Sequence, residues 1–149
     1  MEKNKEKLIV YTDGGSRGNP GPAAIGVVIQ DANGNLIKEY GEKLGTKTNN
    51  EAEYEAVIFA LKKIKQLFGK EKTAKMEINF KMDSEFVMKQ LNGEYKIEEE
   101  RMQPLFIAVW NLKLEFGKVT FSHVPRERNR EADRLVNSAL DSGQGGLWQ

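Results

Sequence analysis

The chain has 149 residues, 39% hydrophobic and 30% charged with 7 Phe, 4 Tyr and 2 Trp, a composition that excludes a disordered chain and suits one globular domain around one core. It has no cysteine and one histidine, His123, which excludes disulfides, thiolate nucleophiles and Cys- or His-built metal sites, so any metal must be a hard, oxygen-bound cation. The net charge of +1 carries no global signature of a nucleic-acid binder, and the charged start MEKNKEK, with no apolar run of membrane length after it, reads as a cytoplasmic protein without signal peptide or anchor.

In chain order, Leu8 to Thr12 reads as a buried strand that ends in Asp13, and Ala23 to Gln30 as a second strand, antiparallel to it across a Gly- and Pro-rich loop from Gly14 to Pro22. The turn signal Asp31-Ala32-Asn33-Gly34-Asn35 leads into a third strand, Leu36 to Leu44, whose weak alternation suits a sheet edge. Thr48-Asn49-Asn50-Glu51 has capping-box spacing and opens a helix that runs to Phe68 and stops at Gly69. Val57, Ala60, Leu61, Ile64, Leu67 and Phe68 share its apolar face, and Glu53 falls within the same stripe, whereas Glu51 and Glu55 point away.

Met76 to Met82 alternates as a strand with one apolar face and ends in Asp83, as the first strand ends in Asp13. Ser84 caps a short helix through Leu91, and Arg101 to Phe116 reads as another, with Leu105, Ala108, Val109, Leu112 and Phe116 on one side. A last strand, Lys118 to Val124, is closed by Pro125, and Asn129 is placed to cap a final helix, Arg130 to Leu140, with Val136, Ala139 and Leu140 inward and Asp133 near the edge of that stripe. The fold class expected is α/β, a five-stranded mixed sheet of three antiparallel and then two parallel strands, with helices on its faces. The tails, 1–6 and 141–149, are expected to be loose, although Leu147 and Trp148 have the chemistry to dock on the body.

Four acids stand out by placement: Asp13 and Asp83 at strand ends, Glu53 on a core-facing stripe and Asp133 early in the last helix. Each alone has an ordinary structural reading, as a turn cap or a solvated charge. In open α/β sheets ligands bind outside the carboxyl ends of the parallel strands, and there the four acids are expected to meet. Carboxylates within a few ångströms cannot all ionise without cations, and Mg²⁺ is the hard ion whose shell substrate phosphates complete. Two such ions about 3.5–4 Å apart form the arrangement of nucleases, and the reaction class is phosphodiester hydrolysis.

Four stretches, YTDGGSRGNPGPAAIGVVI, TNNEAEYEAVIFAL, MDSEFVMKQL and NREADRLVNSAL, resemble in order the four sequence blocks of type 1 ribonuclease H, over roughly Leu8 to Leu140. The resemblance implies the ribonuclease H-like fold and assigns Asp13, Glu53, Asp83 and Asp133 to two Mg²⁺, with Mn²⁺ as an alternative. It further implies cleavage of the RNA strand of an RNA–DNA hybrid, leaving a 5′ phosphate and a 3′ hydroxyl. Gly14, Gly15, Ser16, Gly18 and Asn19 are candidates to meet a sugar–phosphate strand, and Thr48, Asn49 and Asn50 to meet the minor groove and backbone, although turn formation and helix capping account for both sets. Many family members carry an auxiliary His in a loop before the last acid. Here HVPRERNREAD looks more like the branch in which that loop carries Arg, so Arg126 is the candidate and His123 the runner-up.

One departure from the family concerns the basic, Trp-rich helical protrusion by which some bacterial members hold the hybrid. The corresponding stretch, Asn92 to Gln103, contains Glu94, Glu98, Glu99 and Glu100. The protein therefore resembles the branch without that protrusion, and double-stranded RNA, A-like in shape, joins the hybrid as a candidate partner. A catalytically weak binding module on the same fold is the alternative reading, which the replacement of any of the four acids would have favoured. A monomer is expected.

Overall fold

The computed structural model describes residues 6–145, with side chains through 142. Its strands are β1 (Lys7–Ser16), β2 (Gly21–Asp31), β3 (Leu36–Lys47), β4 (Glu77–Met82) and β5 (Lys118–His123). The helices are α1 (Asn49–Phe68), α2 (Lys70–Thr73), α3 (Glu85–Leu91), α4 (Gln103–Lys113) and α5 (Arg130–Gly145), the last preceded by a 3-10 turn at Arg126–Arg128. The sheet order is β3-β2-β1-β4-β5. β1 and β3 pair with β2 antiparallel, and β4 lies parallel between β1 and β5, so the mixed sheet expected from the sequence is the one observed.

Alternation in the sequence explains how the layers form. Leu8, Val10, Ile78, Phe80 and Met82 project from β1 and β4 into one core with Tyr54, Val57, Leu61 and Ile64 of α1, all essentially buried. On the opposite face α5 packs over β2 through Ala24, Val136 and Leu140. β3 is one edge, and its largely exposed residues explain the weak pattern of its sequence. The α1 capping box is formed: the Glu51 N–H donates to Thr48 Oγ1 (3.1 Å) and the Thr48 N–H to Glu51 Oε1 (2.8 Å). Ser84 likewise caps α3, its Oγ accepting from the Val87 N–H. Among the described residues no helix is long and apolar enough to cross a membrane.

Several boundaries differ from expectation for physical reasons. β1 runs past Thr12 to Ser16, with Asp13, Gly14 and Gly15 paired to Gly26, Ile25 and Ala24, so the loop expected over 14–22 shrinks to 17–20. Gly14 and Gly15 are strand residues, and Asp13 lies inside a strand rather than at its end. β3 continues to Lys47, helped by Gly45 at φ 89° and a register shift at Ala23/Ala24. Leu67, placed on the buried face of α1, is 45% exposed, because the apolar stripe leaves the core in the helix's last turn.

Helix α4 starts at Gln103 and ends at Lys113, shorter than the 101–116 expected, and the irregular turn after it brings Phe116 back into the core. The short α2 had no periodic signal at four residues. Helix α5 carries on to Gly145, so 141–145 is helical rather than loose, whereas Leu147 and Trp148 lie outside the described residues.

Candidate active site

The parallel β1–β4 ladder ends at Thr12↔Met82, whereas β1 continues beside β2. A cleft opens at that divergence. Asp13, one residue past the ladder on β1, and Asp83, one past it on β4, therefore stand on adjacent strands at the same level. Helix α1 supplies Glu53 by crossing β1 at Gly14 so closely that a Cβ there would lie 2.3 Å from the Ala52 carbonyl carbon and oxygen and 2.6 Å from the Glu53 nitrogen. Only glycine allows that approach. Helix α5 delivers Asp133 by the same device: a Cβ on Gly26 would lie 2.1 Å from the Ala132 carbonyl oxygen. Both glycines act by removing a side chain between backbones, not by adopting a left-handed conformation.

Carboxylate oxygens of Asp13, Glu53 and Asp83 lie within 4.8 Å of one another. Asp133 lines the same cavity, near enough for its charge to act on Asp13. All four acids line one cavity of about 310 Å³, together with Arg126, Arg17, Asn49 and the β1 backbone from Gly14 to Ser16. Burial, followed by the charges of Asp83 and Asp133, pushes Asp13 up to about 8, against a smaller pull downward from the Gly14 N–H. Burial, followed by Asp13 and Asp83, raises Glu53 well above the ordinary glutamate range, opposed by the Gly14 N–H and by the charge of Arg126. Glu53 Oε1 is buried with no hydrogen-bond partner.

Four carboxylates, one of them holding an orphaned oxygen, share a cavity wall with two arginines and leave an excess of negative charge. Their all-oxygen donor set suits a hard divalent cation and is unsuited to soft metals. The residues present therefore fit Mg²⁺ or Mn²⁺.

The substrate-facing candidates divide. Ser16, at the end of β1, donates from its N–H (2.9 Å) and Oγ (3.2 Å) to Asn49 Oδ1, and Asn19 Oδ1 accepts from the Asn49 N–H at 2.9 Å, so the hairpin is tied to the first turn of α1. Gly14, Gly15, Ser16 and Asn49 line the cavity. Gly18, Asn19, Thr48 and Asn50 stand back from its wall, Gly18 at φ 92° making the turn and Thr48 serving as the cap. Arg126 reaches the cavity, whereas His123 is exposed at the end of β5 and is not part of its wall.

Asn129 was expected as the cap of α5. Its carbonyl does accept the Asp133 N–H (3.1 Å), but its side chain is turned inward, and Nδ2 donates to the Thr12 carbonyl (2.9 Å) and to Asp83 Oδ2 (3.4 Å). At 1% exposure it is a buried amide that joins β1, β4 and α5 beside the acids. Sequence reasoning missed this role, and Arg17 with it. The available signal was the polar Asn129 at a helix start followed by Ala132, which the same side chain satisfies as a cap.

A five-stranded mixed sheet of this order, with a carboxylate cleft where its central parallel pair ends, defines a ribonuclease H-like α/β protein. Comparison with known proteins narrows the class. The sequence profile of the family described as "Reverse transcriptase-like" matches residues 11–139. The chain is 40% identical over 135 residues to "Ribonuclease HI" of Halobacterium salinarum, covering 91% of this chain and 65% of that protein. It superposes on the crystal structure of the RNase H1 of that archaeon with a TM-score of 0.84 at 37% identity, covering 91% of this chain and 98% of the other. LC11-RNase H1, solved in complex with an RNA/DNA hybrid, matches with a TM-score of 0.87 and 44% identity over 92% of this chain and 99% of that one. The N-terminal RNase H domain of a Mycobacterium tuberculosis protein, described as bifunctional, gives 0.85 and 34% over 96% and 99%, although this chain spans only 36% of the whole mycobacterial protein. The chain belongs to the type 1 ribonuclease H family.

Proposed function

We propose that this protein is a metal-dependent endonuclease that hydrolyses the RNA strand of RNA–DNA hybrids, leaving 5′-phosphate and 3′-hydroxyl ends. The observation that carries the reading is the cluster of Asp13, Glu53 and Asp83 within 4.8 Å, with Asp133 in the same cleft, where burial and mutual repulsion raise the pKa of Asp13 and of Glu53. The hybrid-bound LC11-RNase H1, at 44% identity and nearly the same length, supports the substrate class. The reading takes residues 1–149 as one nuclease domain working as a cytoplasmic monomer, in line with its cysteine-free composition.

Asp13, Glu53, Asp83 and Asp133 would hold two Mg²⁺, with Mn²⁺ as a substitute. When bound, such ions lower the pKa of water to produce a nucleophile and neutralise charge on the leaving oxygen. The protein's own residues do the rest. Asn129 fixes the orientation of Asp83 through its Nδ2, and the Gly14 N–H favours the ionised forms of Asp13 and Glu53 that cations require. Arg126 places a positive charge in the cavity, where it favours ionised Glu53 and is available to the cleaved phosphate as an auxiliary group. The hairpin backbone at Gly14 to Ser16 with Asn49 forms the floor for the strand, with Gly18, Asn19, Thr48 and Asn50 holding it in shape. Contacts to 2′-hydroxyls on one strand only would separate a hybrid from duplex DNA.

Residues between α3 and α4 support a second substrate. This acidic stretch forms no helical protrusion and is held against the body by Gln90 Nε2 on the Lys96 carbonyl (3.2 Å) and Gln103 Nε2 on the Ile97 carbonyl (3.1 Å). With no basic arm to hold the hybrid, recognition rests more on duplex shape, and slow cleavage of double-stranded RNA, A-like in shape, is the side activity to test.

The test is a labelled hybrid assayed beside duplex DNA, duplex RNA and single strands. Hybrid should be cut fastest in Mg²⁺ and not at all in EDTA, and cleavage that survives chelation overturns the metal mechanism. Arg126→Ala should lower turnover by about tenfold, a typical loss for an auxiliary charge, while His123→Ala leaves it within about twofold. The reverse ranking would transfer the auxiliary role to His123.

A further inference from the structure

We infer that Arg17 is a phosphate-binding residue of this cleft, gripping the backbone of the nucleic-acid strand that crosses the β1–β2 hairpin; the inference rests on the hybrid-nuclease reading. Arg17 follows Ser16 as the first residue of the hairpin loop, and its N–H donates to the Pro22 carbonyl at 2.8 Å, which fixes its backbone. Its side chain crosses to α5, where Nη2 lies 2.8 Å from Asp141 Oδ1 and 3.4 Å from Asn137 Oδ1. Arg17 lines the cavity that holds Asp13, Glu53, Asp83 and Asp133, and Arg126 is the other cationic residue of that lining.

The ion pair is a poor stability device. Its partners are 37% and 66% exposed, and pairs in that setting contribute little to folding. What it does supply is orientation. Asp141 lies in the C-terminal part of α5, where the negative end of the helix dipole also attracts a cation, so the guanidinium is held in one place before any substrate arrives. Both contacts to α5 run through Nη2, and among the described residues Nε and Nη1 have no protein partner. A guanidinium carries five donors in a planar fork that matches a phosphodiester.

Electrostatics favours the same role. A polyanion entering a cleft walled by four acids is repelled except at bound cations and at Arg17 and Arg126. The arginines stand on different elements, the hairpin and the 3-10 turn before α5. Arg126 acts on Glu53. Arg17 is tied to the hairpin and, through Nη2, to Asn137 and Asp141 of α5 rather than to any of the four acids.

Affinity for a short fluorescent hybrid, measured by anisotropy with Asp83→Asn present in every protein so that the strand stays uncut, tests this directly. Arg17→Ala should weaken binding by about tenfold and reduce the slope of log affinity against log salt by about one, as loss of one phosphate contact does. With Asp83 restored, Arg17→Ala should raise KM more than it lowers kcat, and Arg17→Lys should recover part of the loss. Asp141→Ala should cost clearly less than Arg17→Ala and leave the salt slope unchanged, because the guanidinium remains and only its orientation is loosened. Unchanged affinity and salt slope in Arg17→Ala overturn the inference. Equal losses in Arg17→Ala and Asp141→Ala with an unchanged slope overturn it too, since Arg17 would then be only a strut between hairpin and helix. If the unsubstituted protein neither cuts nor binds hybrid in Mg²⁺, the hybrid reading itself has failed, a result distinct from hybrid cleavage that is indifferent to Arg17.

Discussion

At the scale of single residues, Asp13 shows how far a fold can displace a titration in order to hold a charge it will need. Its carboxyl is pushed up to about 8 by burial and by Asp83 and Asp133, whereas in the unfolded chain it titrates near 4. Between those values the native state holds a proton that the unfolded state has lost, so without metal this group makes stability fall as pH rises from about 4 to 8. Asp13→Asn should therefore be more stable than the parent by about 1–3 kcal/mol at pH 9 in EDTA, with the difference vanishing near pH 4, as read by urea unfolding. In the same variant turnover should drop by about a thousandfold or more, the loss expected when a metal ligand is removed. Normal turnover would remove Asp13 from the site. Asn129 is the second decisive residue. Asn129→Ala leaves the Thr12 carbonyl without its donor and frees Asp83, so it should cost about 1–3 kcal/mol of stability and lower kcat/KM by about 10- to 100-fold, measured together by denaturation and hybrid cleavage.

At the scale of elements, the site exists because helices α1 and α5 lie against β1 and β2 with no side chains between them. Gly14 and Gly26 set that spacing. A methyl group at Gly14 would sit 2.3 Å from the backbone of Ala52, and backbone packed in a helix cannot move aside as a flexible side chain does. Gly14→Ala should cost about 3 kcal/mol or more and misplace Glu53 even in molecules that fold. A thermal midpoint within a degree or two of the parent would show that α1 can shift without penalty. The capping box at Thr48 and Glu51 fixes where α1 begins and so which turn carries Glu53, and the Asn19–Asn49 and Ser16–Asn49 bonds lock that start to the hairpin. The hairpin and Glu53 are thus positioned by the start of one helix.

At the scale of the whole molecule, the buried acids couple metal binding to protons and to stability. Asp13 at about 8 and Glu53, also raised, must release protons to accept cations. Calorimetry of Mg²⁺ binding near pH 7 should show an enthalpy that depends on the ionisation heat of the buffer. The rise in thermal midpoint on adding Mg²⁺ should be larger at pH 8 than at pH 6, because fewer protons must then be displaced. A buffer-independent enthalpy would mean that the acids are already ionised without metal. Among the described residues no helix lies between α3 and α4, so under the proposed function the hairpin, the start of α1 and the arginines around the cavity would have to hold the duplex.

Much of this was legible in the sequence. Strand alternation, capping-box spacing and the placement of Asp13, Glu53, Asp83 and Asp133 are local signals, and local signals survive without a fold: periodicity says which face is buried, and an acid on a buried face asks for a partner. The mixed sheet followed from the order of elements, because connections are short and crossovers right-handed. What only the tertiary structure decided concerns groups whose partners are distant in the chain. Gly14 and Gly15 read as loop residues because glycine marks turns, and only the crossing of α1 showed that Gly14 is a strand residue kept bare for a helix. Asn129 read as a cap until the approach of Thr12 and Asp83 gave its amide other work, and Arg17 had no evident role until α5 came beside the hairpin. The physical reason is common to all three: sequence spacing encodes which groups face the same way along one element, whereas the distance between elements is set by packing.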